Sequence, residues 1–327
     1  MQQAIRLVFQ GRAAVCGLRQ ALLFFLVLLG ATPAHSAASC SINMQNVAFG
    51  SVDVTPGTAV DTTATLQVTC SGSPPMGERL CINLGAAAAD DATSRKMTGP
   101  SPATLRYDLY TNAARTTLWG SWQDGYHTPG VQVDVANGTT SYTVYARLFG
   151  SQQSAATGSY TSSFAANPVL QYRDKMGAGN CPVSGGNTTT TSTTFSSTAT
   201  VVAACTVSTA NMNFGTRNFL TSNVDATSTV TVNCTTSASY FVGLSFGNTG
   251  TSATNRKLVS GANSVTYGLY KDAARSTGWG SSIVSGETVS GTGTGSAQAL
   301  TVYGRVPPQS TPPPGTYSDV VVVTVTY

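Results

Sequence analysis

The chain carries one sequence pattern twice. Residues 92–121 read ATSRKMTGPSPATLRYDLYTNAARTTLWGS, and residues 253–281 read ATNRKLVSGANSVTYGLYKDAARSTGWGS. The correspondence continues on both sides of this segment, and the insertions between the copies are short. The matched pairs include Cys40 with Cys205, Cys70 with Cys234, Trp119 with Trp279, Arg147 with Arg305 and Tyr160 with Tyr317. Each copy has the length of an ordinary domain, so the repeat predicts two homologous domains rather than a solenoid.

The first 38 residues are organised like a secretory signal peptide. Three arginines precede the apolar run ALLFFLVLLG at residues 21–30, which is too short to span a bilayer as a mature helix. Small residues follow, and cleavage is expected before Ser39 or before Ala37. The predicted organisation is a signal peptide at 1–38, a first domain at 39–181, a Thr/Ser-rich linker at 182–204 and a second domain at 205–327.

The composition favours strands and turns. Charged residues make up 9% of the chain, against roughly 25% in ordinary globular proteins. Loss of the three arginines of the leader lowers the net charge from +4 to +1, so no basic patch for nucleic acid is predicted. Thr, Ser, Gly and Val are abundant, and segments such as 64–70, 142–148 and 320–327 alternate with period two. The fold class expected from these patterns is all-β, with two antiparallel β-sandwiches in tandem.

Six cysteines remain after export, and an even number in an exported chain predicts disulfides. The repeat selects the pairing, because two of the cysteines in each copy occupy equivalent positions. The predicted bonds are Cys40–Cys70 and Cys205–Cys234. The two cysteines that remain, Cys81 and Cys181, are predicted to form a third bond in the first copy alone. Lipidation of Cys40 after export is the alternative for that residue.

Residues that would carry catalysis are scarce. His127 is the only histidine outside the leader, no Cys-x-x-Cys spacing occurs, and Asp90-Asp91 is expected to be a solvated loop pair. We therefore expect a protein that is not an enzyme, with no catalytic residues, no metal site and no cofactor. A hydrolase that works through His127 is the alternative.

An ordered set of motifs occurs in both copies and resembles the spore coat protein U domain. In the first copy the set comprises Cys40, Phe49-Gly50, Arg95-Lys96, Tyr107-x-Leu-Tyr, Ala113-Ala-Arg, Trp119-Gly, Thr143-Val-Tyr-x-Arg and Gly158-x-Tyr. Domains of this family build subunits of archaic, Csu-type chaperone–usher pili. The resemblance implies immunoglobulin-like sandwiches, with the second one missing its last strand, and a chain with two such domains resembles the tip adhesin. A structural spore-coat or extracellular matrix protein is the alternative.

The resemblance also implies assembly by donor-strand complementation. The expected partners are a periplasmic pilus chaperone, an outer-membrane usher and the next pilin subunit, which donates an N-terminal strand. Five valines near the end of the second copy are expected to border the acceptor groove, and a buried central strand is the alternative for them. These valines are Val320, Val321, Val322, Val323 and Val325. Because one to three residues precede Cys40 after cleavage, the chain is predicted to accept a strand without donating one, at the distal end of a fibre. The expected location is the cell surface, at the pilus tip, reached through the periplasm.

Loops found only in the first copy are candidates for surface binding. They lie at 72–80 and 121–129, and exposed apolar side chains there would be costly unless they met a partner. The candidates for attachment to an abiotic or host surface, and hence for biofilm formation, are Trp122, Tyr126, Met76, Pro74 and Pro75. The alternative for Trp122 is that it folds back on the sandwich. Residues 182–204 are expected to be flexible in their first half and to open the next strand at 200–205, and their Thr/Val-rich part is a candidate for closing the first sandwich.

Overall fold

The described part of the chain folds almost entirely into β-strands. The computed structural model describes residues 38–100, 102–183 and 188–327. Of the predicted signal peptide only Ala38 falls within these ranges. One short 3₁₀-helix, Lys175–Gly177, interrupts the strands. No helix in the described ranges has the length and apolar character needed to cross a membrane.

The first sandwich is built from twelve strands. They are β1 (Ser39–Met44), β2 (Val47–Val52), β3 (Val60–Ser71), β4 (Glu78–Asn83), β5 (Arg95–Thr98), β6 (Thr104–Tyr110), β7 (Val131–Val135), β8 (Gly138–Leu148), β9 (Gly158–Phe164), β10 (Val169–Asp174), β11 (Thr189–Ser192) and β12 (Phe195–Val201).

Two sheets enclose the first core. The larger has the order β1-β3-β8-β6-β5-β9-β12-β2, and the smaller has the order β11-β10-β4-β7. All neighbours are antiparallel except β12 and β2, which are parallel. The period-two alternation turns Leu66, Leu105 and Val144 of the larger sheet towards Leu80 of the smaller one, and all four side chains are fully buried. Burial of these apolar faces against each other is what stabilises the sandwich.

The second sandwich repeats this plan with eight strands. They are β13 (Cys205–Thr209), β14 (Val224–Cys234), β15 (Ser239–Leu244), β16 (Arg256–Ser260), β17 (Asn263–Tyr270), β18 (Val289–Thr292), β19 (Ala297–Val306) and β20 (Val323–Thr326). The sheet orders are β13-β14-β19-β17-β16 and β18-β15-β20. The prediction of an all-β fold with two tandem sandwiches is confirmed.

The three predicted disulfides are confirmed. Cys40–Cys70 and Cys205–Cys234 each join register partners on the first two strands of the larger sheet. Cys81–Cys181 ties β4 to the segment that follows the 3₁₀-helix. This third bond has no counterpart in the second sandwich, so it belongs to what distinguishes the two copies.

Side chains shared by the copies make the same contacts in each. The indole Nε1 of Trp119 donates to the carbonyl oxygen of Ile82 at 3.2 Å, and that of Trp279 donates to Val242 at 2.9 Å. Arg147 forms a two-pronged pair with Asp61, and Arg305 forms the same pair with Asp225. The N–O distances in both pairs are 2.7 and 2.8 Å. These shared residues therefore belong to the scaffold of each sandwich.

Residues 182–204 contain two strands of the first sandwich. β11 pairs with β10, and β12 pairs with β9 and β2. The structure therefore extends the first sandwich to Val201. The expectation that 200–205 opens the next strand differs from the structure, since residues 200 and 201 end β12 and the next strand starts at Cys205. The Thr/Val-rich part of the segment does close the first sandwich, the role suggested as its alternative.

Candidate functional site

β12 fills the space between β9 and β2 in the first sandwich. Its inward residues Phe195, Ser197, Ala199 and Val201 are buried. The ring of Phe195 stacks on Phe164 of β9, with 4.1 Å between the ring centroids. A single strand of seven residues therefore completes the larger sheet of the first domain.

The second sandwich has a groove at the same place. Residues 212–217 correspond to β2 and residues 315–321 correspond to β9, but neither segment forms a strand, and Ser318 makes only an isolated bridge to Val259. No strand of the described chain lies between them. The groove has a volume of about 1030 Å³. Its apolar walls include Met212, Phe214, Leu258, Val265, Leu269 and Val302.

The valine run near residue 320 contributes alternate residues to this groove. Val321 and Val323 line it, whereas Val320 and Val322 are 64% and 59% exposed. Val325 pairs with Val242 of β15 and packs against the second core. The sequence interpretation placed all five valines at the groove. The structure corrects this for Val320 and Val322, because successive side chains of an extended segment point to opposite faces. It also corrects it for Val325, which does not line the groove and instead lies in β20 beside β15.

The closing strand of the first sandwich leads directly into the second. Residues 202–204 alone join β12 to Cys205. At this junction the backbone N–H of Thr157 donates to the carbonyl oxygen of Thr236 at 3.0 Å. β12 therefore lies just before Cys205, the first cysteine of the second sandwich, but it completes the first sandwich. The chain thus contains, within itself, the geometry of strand donation from one such domain to another.

Three loops of the first sandwich meet at one of its ends. The backbone N–H of Ser73 donates to Oδ1 of Asn137 at 2.8 Å, and that of Lys175 donates to the carbonyl oxygen of Gly77 at 3.1 Å. We call residues 72–77, 136–138 and 175–179 the distal loops. The loop at 72–77 follows the far end of β3, and the near end of β3 lies beside the junction. Gly57, three residues before β3, accepts from the backbone N–H of Ser151, and the carbonyl oxygen of nearby Gln153 accepts from Oγ1 of Thr236 in the second domain. Twelve extended residues of β3 span roughly 40 Å, so the distal loops lie at the end remote from the junction.

The distal loops carry exposed apolar side chains on a braced base. Met76 is 58% exposed and Met176 is 79% exposed, and Pro75 is exposed beside a half-buried Pro74. Beneath them, the carboxylate of Asp134 on β7 forms ion pairs with two basic side chains, Arg79 and Lys175. Its oxygens lie 2.8 Å from Nε of Arg79 and 3.1 Å from Nζ of Lys175. The hydrogen bond from Arg79, supported by Lys175, lowers the pKa of Asp134 to about 2. Asp134 therefore ties β4 and the 3₁₀-helix to β7.

The structure places the other two predicted surface residues elsewhere. The ring of Tyr126 lies 4.7 Å from the guanidinium carbon of buried Arg95 and 4.1 Å from the ring of His127. Its hydroxyl is buried, and burial raises its pKa. Trp122 is half-buried, and its ring packs beside Gly130. Both residues lie near the end of β4 opposite to the distal loops, so the structure does not join them to Met76. Trp122 adopts the folded-back position that the sequence left as its alternative.

Sequence reasoning missed Met176. It lies in the 3₁₀-helix between β10 and Cys181. The signal in the sequence was an apolar residue within a short turn that contains Gly and Lys. Only the hydrogen bonds between the loops reveal that the two methionines share one surface.

Comparison with known proteins identifies the family. The Spore Coat Protein U domain model matches residues 26–167 and, a second time, residues 191–324. The chain therefore belongs to the Spore Coat Protein U domain family. The second match begins before β12 and thus includes the strand that closes the first sandwich. No curated protein sequence matches the chain.

Two solved structures are similar to this chain. The chain is similar to one in the CsuC–CsuE chaperone–tip adhesion subunit pre-assembly complex, from the archaic chaperone–usher Csu pili of Acinetobacter baumannii. That match has 15% identity, covers 88% of this chain and 100% of the other, and has a TM-score of 0.52. The CupB6 tip adhesin from Pseudomonas aeruginosa matches with 11% identity over 88% of this chain and 94% of the other, at a TM-score of 0.40. The first likeness establishes a shared two-domain fold.

Proposed function

We propose that this protein is the tip subunit of a chaperone–usher pilus and attaches the cell to a surface during biofilm formation. The observation that carries the proposal is the difference between the two sandwiches. The first is completed by its own β12, whereas the second has a long apolar groove where that strand would lie. A domain that needs a strand from another chain suits assembly by donor-strand complementation. The similarity in fold to the Csu tip complex supports the same role.

In this proposal the groove of the second domain has two successive occupants. A periplasmic chaperone first covers the apolar walls with a strand of its own. At the outer-membrane usher, the N-terminal strand of the next pilin subunit replaces it. Exposed apolar surface of this extent promotes aggregation unless it is covered. The chaperone therefore protects the exported chain until the pilus is built and the first domain is carried to the cell surface.

Two adjacent valines allow a sharp test of the groove. Val321 lines it, whereas Val322 points to solvent. We expect Val321→Asp to abolish copurification with the pilus chaperone, because a carboxylate on the groove wall would be buried without a partner. Val322→Asp is the matched control and should copurify normally. Equal copurification of both variants, or assembly of the chain without any usher, would count against the proposal.

The distal loops are the proposed adhesive surface. Met76 and Met176, with Pro75 beside them, present flexible and polarisable apolar groups that adapt to irregular surfaces. We expect the double variant Met76→Ser, Met176→Ser to lower attachment to an apolar surface while the number of pili per cell is unchanged. Phe219→Ser removes an equally exposed apolar side chain from the second domain and serves as the control. Normal attachment by the double variant would exclude the distal loops from adhesion.

A further inference from the structure

The first sandwich provides a template for the strand that fills the second. In β12, Ser197 pairs with Ser162 of β9 and is fully buried. The hydroxyl of Tyr107 on β6 lies beside these two serines. Burial raises the pKa of Tyr107 to about 12, and the nearby hydroxyls of Ser162 and Ser197 partly offset this rise. None of the three hydroxyls has a hydrogen-bond partner of good geometry. The centre of the first closing strand is thus a small polar contact within an apolar core.

The second sandwich has a stronger acceptor at this place. Tyr267 corresponds to Tyr107, and Asp319, two residues after Tyr317, corresponds to Ser162. The Tyr267 hydroxyl donates to Oδ2 of Asp319 at 2.8 Å, and both residues line the groove. A serine in the closed sandwich is therefore replaced by a carboxylate in the sandwich that remains open.

The hydrogen bonds of Asp319 leave it ready for one more donor. Oδ1 accepts from the backbone N–H groups of Asn248 and Val320, and Oδ2 accepts from Tyr267. A carboxylate offers about four acceptor positions, so one remains on the oxygen next to the groove. The nearby cation Arg256 does not fill it, because Arg256 donates to four backbone carbonyl oxygens instead. A strand that covers this carboxylate without supplying a donor would bury it unpaired, which is costly.

We propose that Asp319 and Tyr267 form a polar subsite that selects a serine or threonine on the incoming strand, at the position that Ser197 holds in β12. The proposal rests on the strand-acceptor function of the groove and adds the side chain that the groove recognises. A short hydroxyl at this position reaches Oδ2 and keeps the strand within the sheet. An apolar residue leaves the carboxylate unsatisfied, and an acidic residue repels it.

The test uses the full exported chain and a labelled peptide with the sequence of residues 193–203, TTFSSTATVVA, which already fits the equivalent groove. Three peptides carry Ser, Ala or Asp at the position of Ser197, and fluorescence anisotropy measures their binding. We expect the Ala peptide to bind about 10-fold to 100-fold more weakly than the Ser peptide, the range for a hydrogen bond to a charged group. The Asp peptide should bind more weakly still.

Variants of the protein locate the effect. Asp319→Ser gives the second groove the residue of the first, and we expect it to bind the Asp peptide at least about 10-fold better than the wild type does. Asp319→Asn keeps an acceptor oxygen for Tyr267 and replaces Asp319→Ser if the latter does not fold. Ser318→Ala, one residue away, is the control and should keep the wild-type preference.

The outcomes separate the two proposals. Equal binding of all three peptides by the wild type would overturn the polar subsite while leaving the strand-acceptor function in place. A wild-type chain that binds none of them would overturn both. Undiminished discrimination by Asp319→Ser and Asp319→Asn would remove Asp319 from the recognition of the strand.

Discussion

The two sandwiches share a scaffold and differ in how each is closed. Both have the Trp indole bonded to a backbone carbonyl, the same exposed Arg–Asp pair and the same first disulfide. The first adds β12 and the bond Cys81–Cys181, and it buries a complete core. The second leaves part of its core as the wall of a groove. One strand of seven residues therefore separates a domain with a closed core from one whose core borders an open groove.

The copies also differ around their buried arginines. Arg95 donates to the carboxylate of Asp108 at 3.1 Å and to the carbonyl oxygen of Leu84, and burial raises the pKa of Asp108 to about 6. In the second copy Gly268 takes the place of Asp108, and Arg256 binds carbonyl oxygens alone. Burial lowers the pKa of Arg256 to about 10. The first core thus contains a titratable pair that the second lacks.

The ends of the two sandwiches are not interchangeable either. Thr157 donates its backbone N–H across the junction to Thr236, but Pro314 stands at the equivalent position of the second copy. Proline has no N–H, so the second domain cannot form the equivalent bond with a following subunit in the proposed assembly. The joint between the two domains is therefore not a full template for that proposed contact.

The largest effect is expected from the disulfide found in one sandwich only. Cys81 and Cys181 are 100 residues apart, against 30 for Cys40 and Cys70. In the chain-entropy model the longer loop stabilises by up to about 5 kcal/mol, roughly 1 kcal/mol more than the shorter one. The double variant Cys81→Ser, Cys181→Ser should lower the first unfolding transition in calorimetry and leave the second unchanged. Equal shifts of both transitions would contradict the assignment of this bond to one domain.

The next largest effect is expected at the strand that closes the first sandwich. Phe195 is 5% exposed and stacks on Phe164. Phe195→Ala leaves a cavity and should cost about 3–5 kcal/mol in the free energy of unfolding of the first domain. Phe219→Ala, at a side chain of the second domain that is 73% exposed, should change the free energy of unfolding of its own domain by less than about 0.5 kcal/mol. A loss at Phe195 no larger than that at Phe219 would mean that β12 is not part of the folded core.

The fold was predictable because its signals are local or repeated. Period-two alternation marks most strands, and the repeat alone selected three disulfides from the possible pairings. β12 was predicted only as a possible role of the linker, because two of its inward positions are Ser197 and Ala199, which suit a linker by composition. Their burial depends on β9 and β2, which are distant in sequence, so no local pattern reports it.

The candidate sites were predictable only in part, for the same physical reason. Comparison of the copies identified Met76 as specific to the first domain, but it could not show that Tyr126 turns inwards. That orientation depends on the buried Arg95 beneath its ring. In the valine run, identical side chains conceal the period, so the sequence could not separate Val321 from Val322. Which face of a strand lines a groove depends on the strands around it, and the sequence of one strand does not contain that information.

A smaller effect is expected from the pH dependence of the two cores. The pKa of Asp108 is raised from 3.8 to about 6, so between these values the folded chain holds a proton that the unfolded chain releases. The free energy of unfolding of the first domain should therefore fall by about 2–3 kcal/mol as the pH rises through this window. Above the window, the contribution of Asp108 no longer changes with pH.

Asp108→Asn should abolish this part of the slope. His127, whose pKa burial lowers, contributes a slope of opposite sign, and its Nε2 lies 4.0 Å from Oδ1 of Asp108. Its contribution therefore does not cancel, and repeating the comparison with His127→Gln in both proteins removes it. Denaturant unfolding between pH 4 and pH 8 measures the effect, and the second domain, with Gly268, is the internal control. Parallel curves for Asp108→Asn and the wild type would contradict the prediction.

The smallest effect is expected at the base of the distal loops. The Arg79 hydrogen bond lowers the pKa of Asp134 from 3.8 to about 2, so this carboxylate stabilises the folded state above pH 3.8 and loses its contribution as the pH falls towards 2. The group is partly exposed, and solvent screening limits the effect to about 0.5–1 kcal/mol. At neutral pH, Asp134→Asn should speed hydrogen exchange at residues 175–178 and at Gly77, because it loosens the contact between β7 and the 3₁₀-helix. Asp61→Asn weakens a similar pair with Arg147 outside the distal loops and should leave these amides unchanged. If both variants exchange alike at the distal loops, the cations around Asp134 do not brace them, and the hydrogen bonds between the loops and the disulfide Cys81–Cys181 hold them instead.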